Sequence, residues 1–123
     1  MILMPNFLRR LSWLPLLLVG SCSADTVQEQ VANPKVGDVY VVQFQPQGTT
    51  ATRYFFYHLY RVTPDSAYLH PARQDSPTPD ADLRQLAFEP SPKTIAYTRA
   101  ELTALLQEQP DDVTKSKLIR VRR

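Results

Sequence analysis

The sequence predicts a small, mainly β fold: a strongly bent antiparallel sheet or a partly open barrel, with one helix before the last strand. Three observations predict it. Short runs rich in β-branched and aromatic residues recur along the chain, separated by turns that contain proline or glycine. A helix-capping motif followed by leucines at helical spacing precedes the final run. The chain holds a single cysteine, so no intrachain disulfide is available and burial must stabilise the fold.

The first two predicted strands flank a polar turn. Residues 39–44 read VYVVQF and residues 53–62 read RYFFYHLYRV, and both runs are rich in residues that favour strands. Neither side of the second run is plainly polar, so we expect it to be the central strand, with both faces packed. Its predicted faces are Tyr54, Phe56, His58, Tyr60 and Val62 on one side, and Phe55, Tyr57, Leu59 and Arg61 on the other.

A hairpin and a long loop are predicted next. The turn over residues 63–66 contains a proline at its second position and leads into a short antiparallel strand over residues 67–70. Residues 71–83 hold three prolines and three aspartates, which is typical of a surface loop. Brief strands are then predicted at residues 86–88 and 94–97.

The predicted helix begins at Thr98, because Thr98 and Glu101 have the spacing of a capping box. Pro110 is expected to end it after about three turns. Residues 116–123 predict a half-buried final strand at an edge of the sheet, protected by its charges. The leucines predicted to share one face of the helix, and to cover one face of the central strand, are Leu102, Leu105 and Leu106.

Residues 36–122 resemble SH3-like barrels in layout. A helical turn also precedes the last strand in that family, and the segment Gly37-Asp38-Val39-Tyr40 is similar to how such barrels often begin. The resemblance implies an architecture and no function.

Residues 1–21 predict an export signal. Arg9 and Arg10 precede an apolar run of about ten residues, which is half the length that a membrane-spanning helix needs. The residues Val19-Gly20-Ser21-Cys22 that follow resemble the lipobox of bacterial lipoproteins, in which small residues precede a cysteine that becomes the acylated N-terminus. The alternative is an ordinary signal cleaved after Ala24, which releases a soluble periplasmic or secreted protein.

The lipobox resemblance implies that Cys22 attaches the protein to a membrane through several acyl chains, which hold a protein stably. Ser23 follows, where an aspartate would favour the inner membrane, so the resemblance implies the outer membrane, facing the periplasm. We expect residues 22–34 to serve as the attachment point and a flexible tether, and residues 35–123 to form one domain.

The net charge of +2 belongs to the signal. Arg9 and Arg10 are the only charged residues among residues 1–21, so the remaining chain has 12 basic and 12 acidic residues. This balance gives no indication of a nucleic-acid partner. We expect contact with the membrane through the lipid anchor.

Aromatic and basic residues are the candidates for binding a partner. Tyr54, Tyr57 and Tyr60 are expected either to fill the core or to form a contact surface. Arg120 and Arg122 belong to a basic C-terminal edge that either protects the edge strand or binds anionic head groups or phosphorylated sugars.

No metal, cofactor or catalytic residue is expected. His58 and His70 are the two histidines, and they meet across the hairpin only in one register, whereas zinc needs three or four ligands. The aspartates of the long loop lack the glycine of a calcium-binding loop, so we expect solvated carboxylates at Asp75, Asp80 and Asp82.

These observations predict an envelope lipoprotein whose domain is a non-enzymatic binding module for a protein or glycan partner. A small envelope hydrolase remains the alternative, because a pair of carboxylates can be assembled by folding from residues distant in sequence.

Overall fold

The structure is a computed structural model that describes residues 26–89 and 94–123. The predicted export signal and Cys22 lie outside the described residues. In chain order the elements are α1 (Val27–Ala32), β1 (Val39–Phe44), β2 (Arg53–Val62), β3 (Ser66–Pro71), α2 (Leu83–Leu86), β4 (Ile95–Thr98), α3 (Arg99–Ala104) and β5 (Lys117–Arg122).

The strands form one open, antiparallel sheet in the order β4-β3-β2-β1-β5. The predicted mainly β fold, with a helix before the last strand, is confirmed. β2 is the central strand and β5 lies at one edge, both as predicted. β2 and β3 form the predicted hairpin, since the backbone N–H of Thr63 donates to the carbonyl of Ser66 at 2.9 Å.

One face of the sheet packs against α1 and α3, and we call the apolar residues between them the first core. Leu102 of α3 is fully buried there, and Leu105 and Leu106, just after the helix, pack against it half-buried. These leucines share the first core with Leu59 of β2, but α3 itself lies over β3 and β4 and not over β2 as predicted. The first core contains Val31, Tyr40, Val42, Leu59, Ala67, Leu69, Leu102, Leu118 and Val121.

Helix α3 is shorter than predicted, because it ends at Ala104 and not near Pro110. The capping box of Thr98 and Glu101 is present at its start. After Ala104 the chain tightens into turns, and the carbonyl of Leu105 accepts a hydrogen bond from the backbone N–H of Leu118 at 2.7 Å. This bond draws the chain onto β5.

The other face of the sheet carries the second core, formed by Val39, Val41, Phe56, Ala72 and Leu86. The loop between β3 and β4, which includes α2, covers it. The strand predicted at residues 86–88 is wrong. The Asp82 carboxylate instead caps a helical turn over Leu83–Leu86, and Phe88 makes only an isolated bridge to Ala72.

The flexible tether predicted over residues 22–34 is wrong for residues 27–32, which form α1. The Thr26 hydroxyl accepts a hydrogen bond from the backbone N–H of Glu29 at 3.2 Å and caps the helix. Val31 is 2% exposed and belongs to the first core, and Val27 packs against that core. The described fold therefore begins at Thr26, nine residues before the predicted boundary at Lys35.

Two β-bulges alter the predicted strand faces. The bulge in β2, between Leu59 and Arg61, turns Val62 toward the first core and places Arg61 opposite Tyr68 on the other face. The bulge in β5 shifts its register against β1, so that Leu118 and Val121 both lie in the first core. The strict alternation predicted for the ends of β2 and for β5 is therefore wrong.

Candidate functional site

A stack of rings lies on β2 and β3, on the same face as the second core and toward the hairpin turn. The rings of Tyr60 and His70 are parallel within 6°, with their centroids 3.8 Å apart. Tyr68 lies 6.4 Å from Tyr60, and Phe88 lies 5.4 Å from His58. We call this surface the ring platform; its members are His58, Tyr60, Arg61, Tyr68, His70 and Phe88.

The bulge in β2 assembles the ring platform. Near the turn, Val62 pairs with Ala67, and this register continued without a bulge would place His58 and His70 on opposite faces. The extra residue at the bulge brings the two histidines directly opposite each other. Of the two registers left open by the sequence, the observed one brings the histidines together across the hairpin.

The platform combines half-buried rings with one exposed cation. The Arg61 side chain is exposed, and its guanidinium carbon lies 5.0 Å from the centre of the Tyr68 ring. The Tyr60 hydroxyl shares a hydrogen bond of 2.6 Å with the Thr94 hydroxyl. These contacts hold the ring of Tyr60 and the guanidinium of Arg61 in fixed positions, which favours binding of a flat or anionic group.

The environment of His58 on this platform disfavours its protonated form. Burial lowers the pKa of the His58 imidazole, and the neighbouring His70 lowers it further. His70 Nε2 is buried and has no hydrogen-bond partner among the residues described. Within residues 26–89 and 94–123, no group of three or more His, Cys, Asp or Glu side chains is close enough to hold a metal ion.

A second aromatic surface lies at the other end of β2, on the same face as the first core. We call it the aromatic groove; it encloses about 230 Å³ and is lined by Val42, Phe44, Phe55, Tyr57 and Ser116. The rings of Phe55 and Tyr57 meet edge to face, with their centroids 5.1 Å apart. Burial, and then Tyr97, raise the pKa of Tyr57 to about 12, so its hydroxyl stays protonated. Helix α3 packs over β3 and β4, and α1 packs against β5 and α3, so neither helix lines this groove.

The structure does not bring the three predicted partner-binding tyrosines together. Tyr54 is half-buried beside the second core, where its backbone exchanges two hydrogen bonds of 2.8 Å with Ser76. Tyr57 lines the aromatic groove on the opposite face, and Tyr60 belongs to the ring platform.

The predicted partner-binding arginines make contacts within the domain. Arg120 pairs with Asp80, and Arg122 donates a hydrogen bond of 2.7 Å to the carbonyl of Ala81. Arg53 likewise pairs with Asp75 at 2.6 Å. The expectation of a solvated carboxylate is therefore wrong for Asp75, whose side chain is 34% exposed, whereas the Asp80 side chain is 72% exposed. Both ion pairs help to hold the proline-rich loop against the sheet.

That loop also encloses a cavity of about 240 Å³, lined in part by Asp75, Ser76 and Asp82. The Arg53 side chain lowers the pKa of Asp75, and the Arg84 side chain lowers that of Asp82. Both carboxylates are therefore ionised at neutral pH. A hydrolase that uses two carboxylates needs one whose pKa is raised, so that it can donate a proton.

The sequence did not identify Arg61 of the ring platform or Phe44 of the aromatic groove as candidates for binding a partner. Arg61 was expected on the face of β2 opposite to Tyr60, and only the bulge brings it beside Tyr68. The register of the hairpin was the available signal, because it pairs each residue of β2 with a definite position on β3.

Among the residues described, no helix has the length and apolar character required to span a bilayer. Comparison with protein-family models, with curated proteins and with solved structures finds no match for this chain.

Proposed function

We propose that this protein is an envelope lipoprotein, anchored through Cys22 to the outer membrane and facing the periplasm, whose domain is a non-enzymatic binding module. The anchor is supported by the order of the N-terminal features: basic residues, a short apolar run, and then a lipobox-like segment ending at the only cysteine of the chain. Acylation gives Cys22 a role, whereas an unmodified single cysteine in an exported protein would be a free reactive thiol.

The observation that carries the binding proposal is the exposed Arg61 held over Tyr68, beside the parallel rings of Tyr60 and His70. Tyrosine and arginine are enriched among the residues that contribute most to protein interfaces. Because the rings are already packed against each other, binding orders few side chains and loses little conformational entropy. The partner is an envelope protein or a glycan with a flat or anionic group that fits against these rings.

The ring platform is tested by placing a photoreactive amino acid at position 61 of the lipoprotein in the membranes of its own cells. We expect illumination to give a discrete crosslinked product whose mass identifies the partner. The matched control is the same residue at position 84, because Arg84 lies in α2 and its side chain is 90% exposed.

The same crosslinking pattern from both positions would contradict a specific contact at the platform. A Tyr68→Ala variant supplies a second measure, since we expect it to lose the product at position 61. Circular dichroism of that variant shows whether the fold is retained.

A further inference from the structure

We propose that the aromatic groove lies on the surface of the lipid bilayer, so that the groove orients the domain and the ring platform points away from the membrane. This inference rests on the proposed acylation of Cys22. The occupant to which the groove is assigned is the interfacial region of the bilayer, where acyl chains meet the head groups.

The first argument is the length of chain between the anchor and the fold. Thr26 caps α1 and lies four residues after Cys22. Even fully extended, four residues span at most about 14 Å. A domain of this size has a radius of gyration of about 13 Å, so the side of the domain from which α1 begins must face or touch the bilayer.

The second argument is where the chain enters the fold. Val27 and Gln28, at the start of α1, line a shared cleft with Lys117 and Leu118 of β5. Leu118 pairs with Val42, which lines the aromatic groove. Ser116, which lines the groove, directly precedes Lys117, so the cleft at the start of α1 and the groove are adjacent where β5 begins.

The third argument is the composition of this side of the domain. Phe44, Phe55 and Tyr57 are half-buried, although they are large rings in a small domain. Val113, in the loop before β5, is 69% exposed, and the bond from the Gln45 N–H to the Thr114 carbonyl at 2.8 Å holds this loop at the rim of the groove. Aromatic residues, with a polar end in the case of tyrosine, favour the membrane interface.

Charge plays a minor part in this contact. The loop and the start of β5 carry two cations, Lys115 and Lys117, and three anions, the exposed Glu108 and Asp111 and the half-exposed Asp112. Attraction to anionic lipids is therefore largely offset by repulsion, and insertion of apolar side chains dominates. We expect the orientation to persist when the anionic lipid is removed.

The inference has a structural consequence for the ring platform. Phe55 and Arg61 are six residues apart on β2, which corresponds to about 20 Å along a strand, and they lie on opposite faces. With the groove on the bilayer, Arg61 and Tyr68 project into the aqueous compartment, where a partner can reach them.

The test uses the acylated protein in vesicles of phosphatidylethanolamine and phosphatidylglycerol. Spin labels are attached to single cysteines introduced by Val113→Cys and, as a control, Val36→Cys. Val36 is an equally exposed valine, 66% against 69%, and it precedes β1, whereas Val113 lies near the end of β1. Both sites are on the surface, so neither substitution should disturb the fold.

We expect membrane attachment to make the label at position 113 less accessible to a water-soluble relaxation agent and more accessible to dissolved oxygen. The label at position 36 should be unchanged. Equal exposure of both labels to water, in protein whose acylation is verified by intact mass, would overturn this inference and leave the anchor standing. Protein that carries no acyl group would remove the anchor, and with it the reason for placing the groove on a bilayer.

Discussion

The guanidinium of Arg123, which directly follows β5, binds the segment between α1 and β1. It donates to the Asp38 carboxylate at 2.9 Å and to the carbonyl of Asn33 at 3.0 Å. Asp38 is 2% exposed and also accepts a hydrogen bond from the backbone N–H of Lys35 at 3.0 Å. The arginine therefore neutralises a buried carboxylate and at the same time fixes the end of α1.

We expect Arg123→Ala to lower the free energy of unfolding by about 3 kcal/mol, because it leaves the Asp38 carboxylate buried without its charge partner. Urea denaturation of both proteins measures the change. Arg84→Ala is the matched control: the Arg84 side chain is 90% exposed, so its pair with Asp82 should contribute less than about 1 kcal/mol. Equal losses in the two variants would refute the special role of Arg123.

The histidine pair predicts a specific dependence of stability on pH. Burial and His70 lower the pKa of His58 below its usual value of 6.5, so the unfolded chain takes up a proton at a higher pH than the folded chain. The free energy of unfolding should therefore fall as the pH drops below 6.5. The part of this loss that is due to His58 should end once the pH is below the pKa of His58 in the folded protein. Thermal unfolding between neutral pH and pH 4.5 measures the slope.

A His58→Gln variant should lose most of that slope. Asp75 and Asp112, whose pKa values are lowered by hydrogen bonds from Arg53 and from Thr114, act in a separate window, because the stability they contribute is lost only below 3.8. An unchanged slope in the variant would show that His58 does not titrate as described.

At the scale of elements, the strands could be predicted from residue type and the bulges could not. The runs at 39–44 and 53–62 were predicted with the boundaries that β1 and β2 have, because β-branched and aromatic residues pack well on a half-buried strand. A bulge depends on the register in which two strands pair, here between Leu59 and Arg61 of β2 and their partners in β3. The residues of one strand alone do not determine that register.

Helix α1 was missed for a different reason. It is six residues long and has only two inward valines, Val27 and Val31, which is too little for a clear helical period. One signal was present. Thr26 and Glu29 have the same three-residue spacing as Thr98 and Glu101, which marked α3 correctly.

Because α1 contributes Val31 to the first core, truncating that side chain should lower the stability of the fold. We expect Val31→Ala to lower the free energy of unfolding by about 2 kcal/mol, because two buried methyl groups are removed and a cavity remains. Val36→Ala, at a position that is 66% exposed, should change it by less than about 0.5 kcal/mol. If both variants unfold at the wild-type denaturant midpoint, α1 is a tether after all and does not belong to the core.

At the scale of the molecule, the central strand divides the aromatic residues between two surfaces. The aromatic groove lies at one end of β2 on one face, and the ring platform lies at the other end on the opposite face. The richness of β2 in rings was visible in the sequence, but their division was not, because it depends on which parts of each face the helices and the long loop cover. The three residues between Cys22 and Thr26 connect this arrangement to the proposed membrane anchor.

The central claim is the acylated anchor, and the intact mass of the protein extracted from the membranes of its own cells tests it most directly. We predict a mature chain that begins at Cys22 and carries the added mass of several acyl chains, and we predict that Cys22→Ala prevents this maturation. The proposed orientation and the outward-facing ring platform both depend on that result. An unmodified chain that begins at Asp25 would contradict the claim, because it would show cleavage after Ala24 and release of a soluble protein.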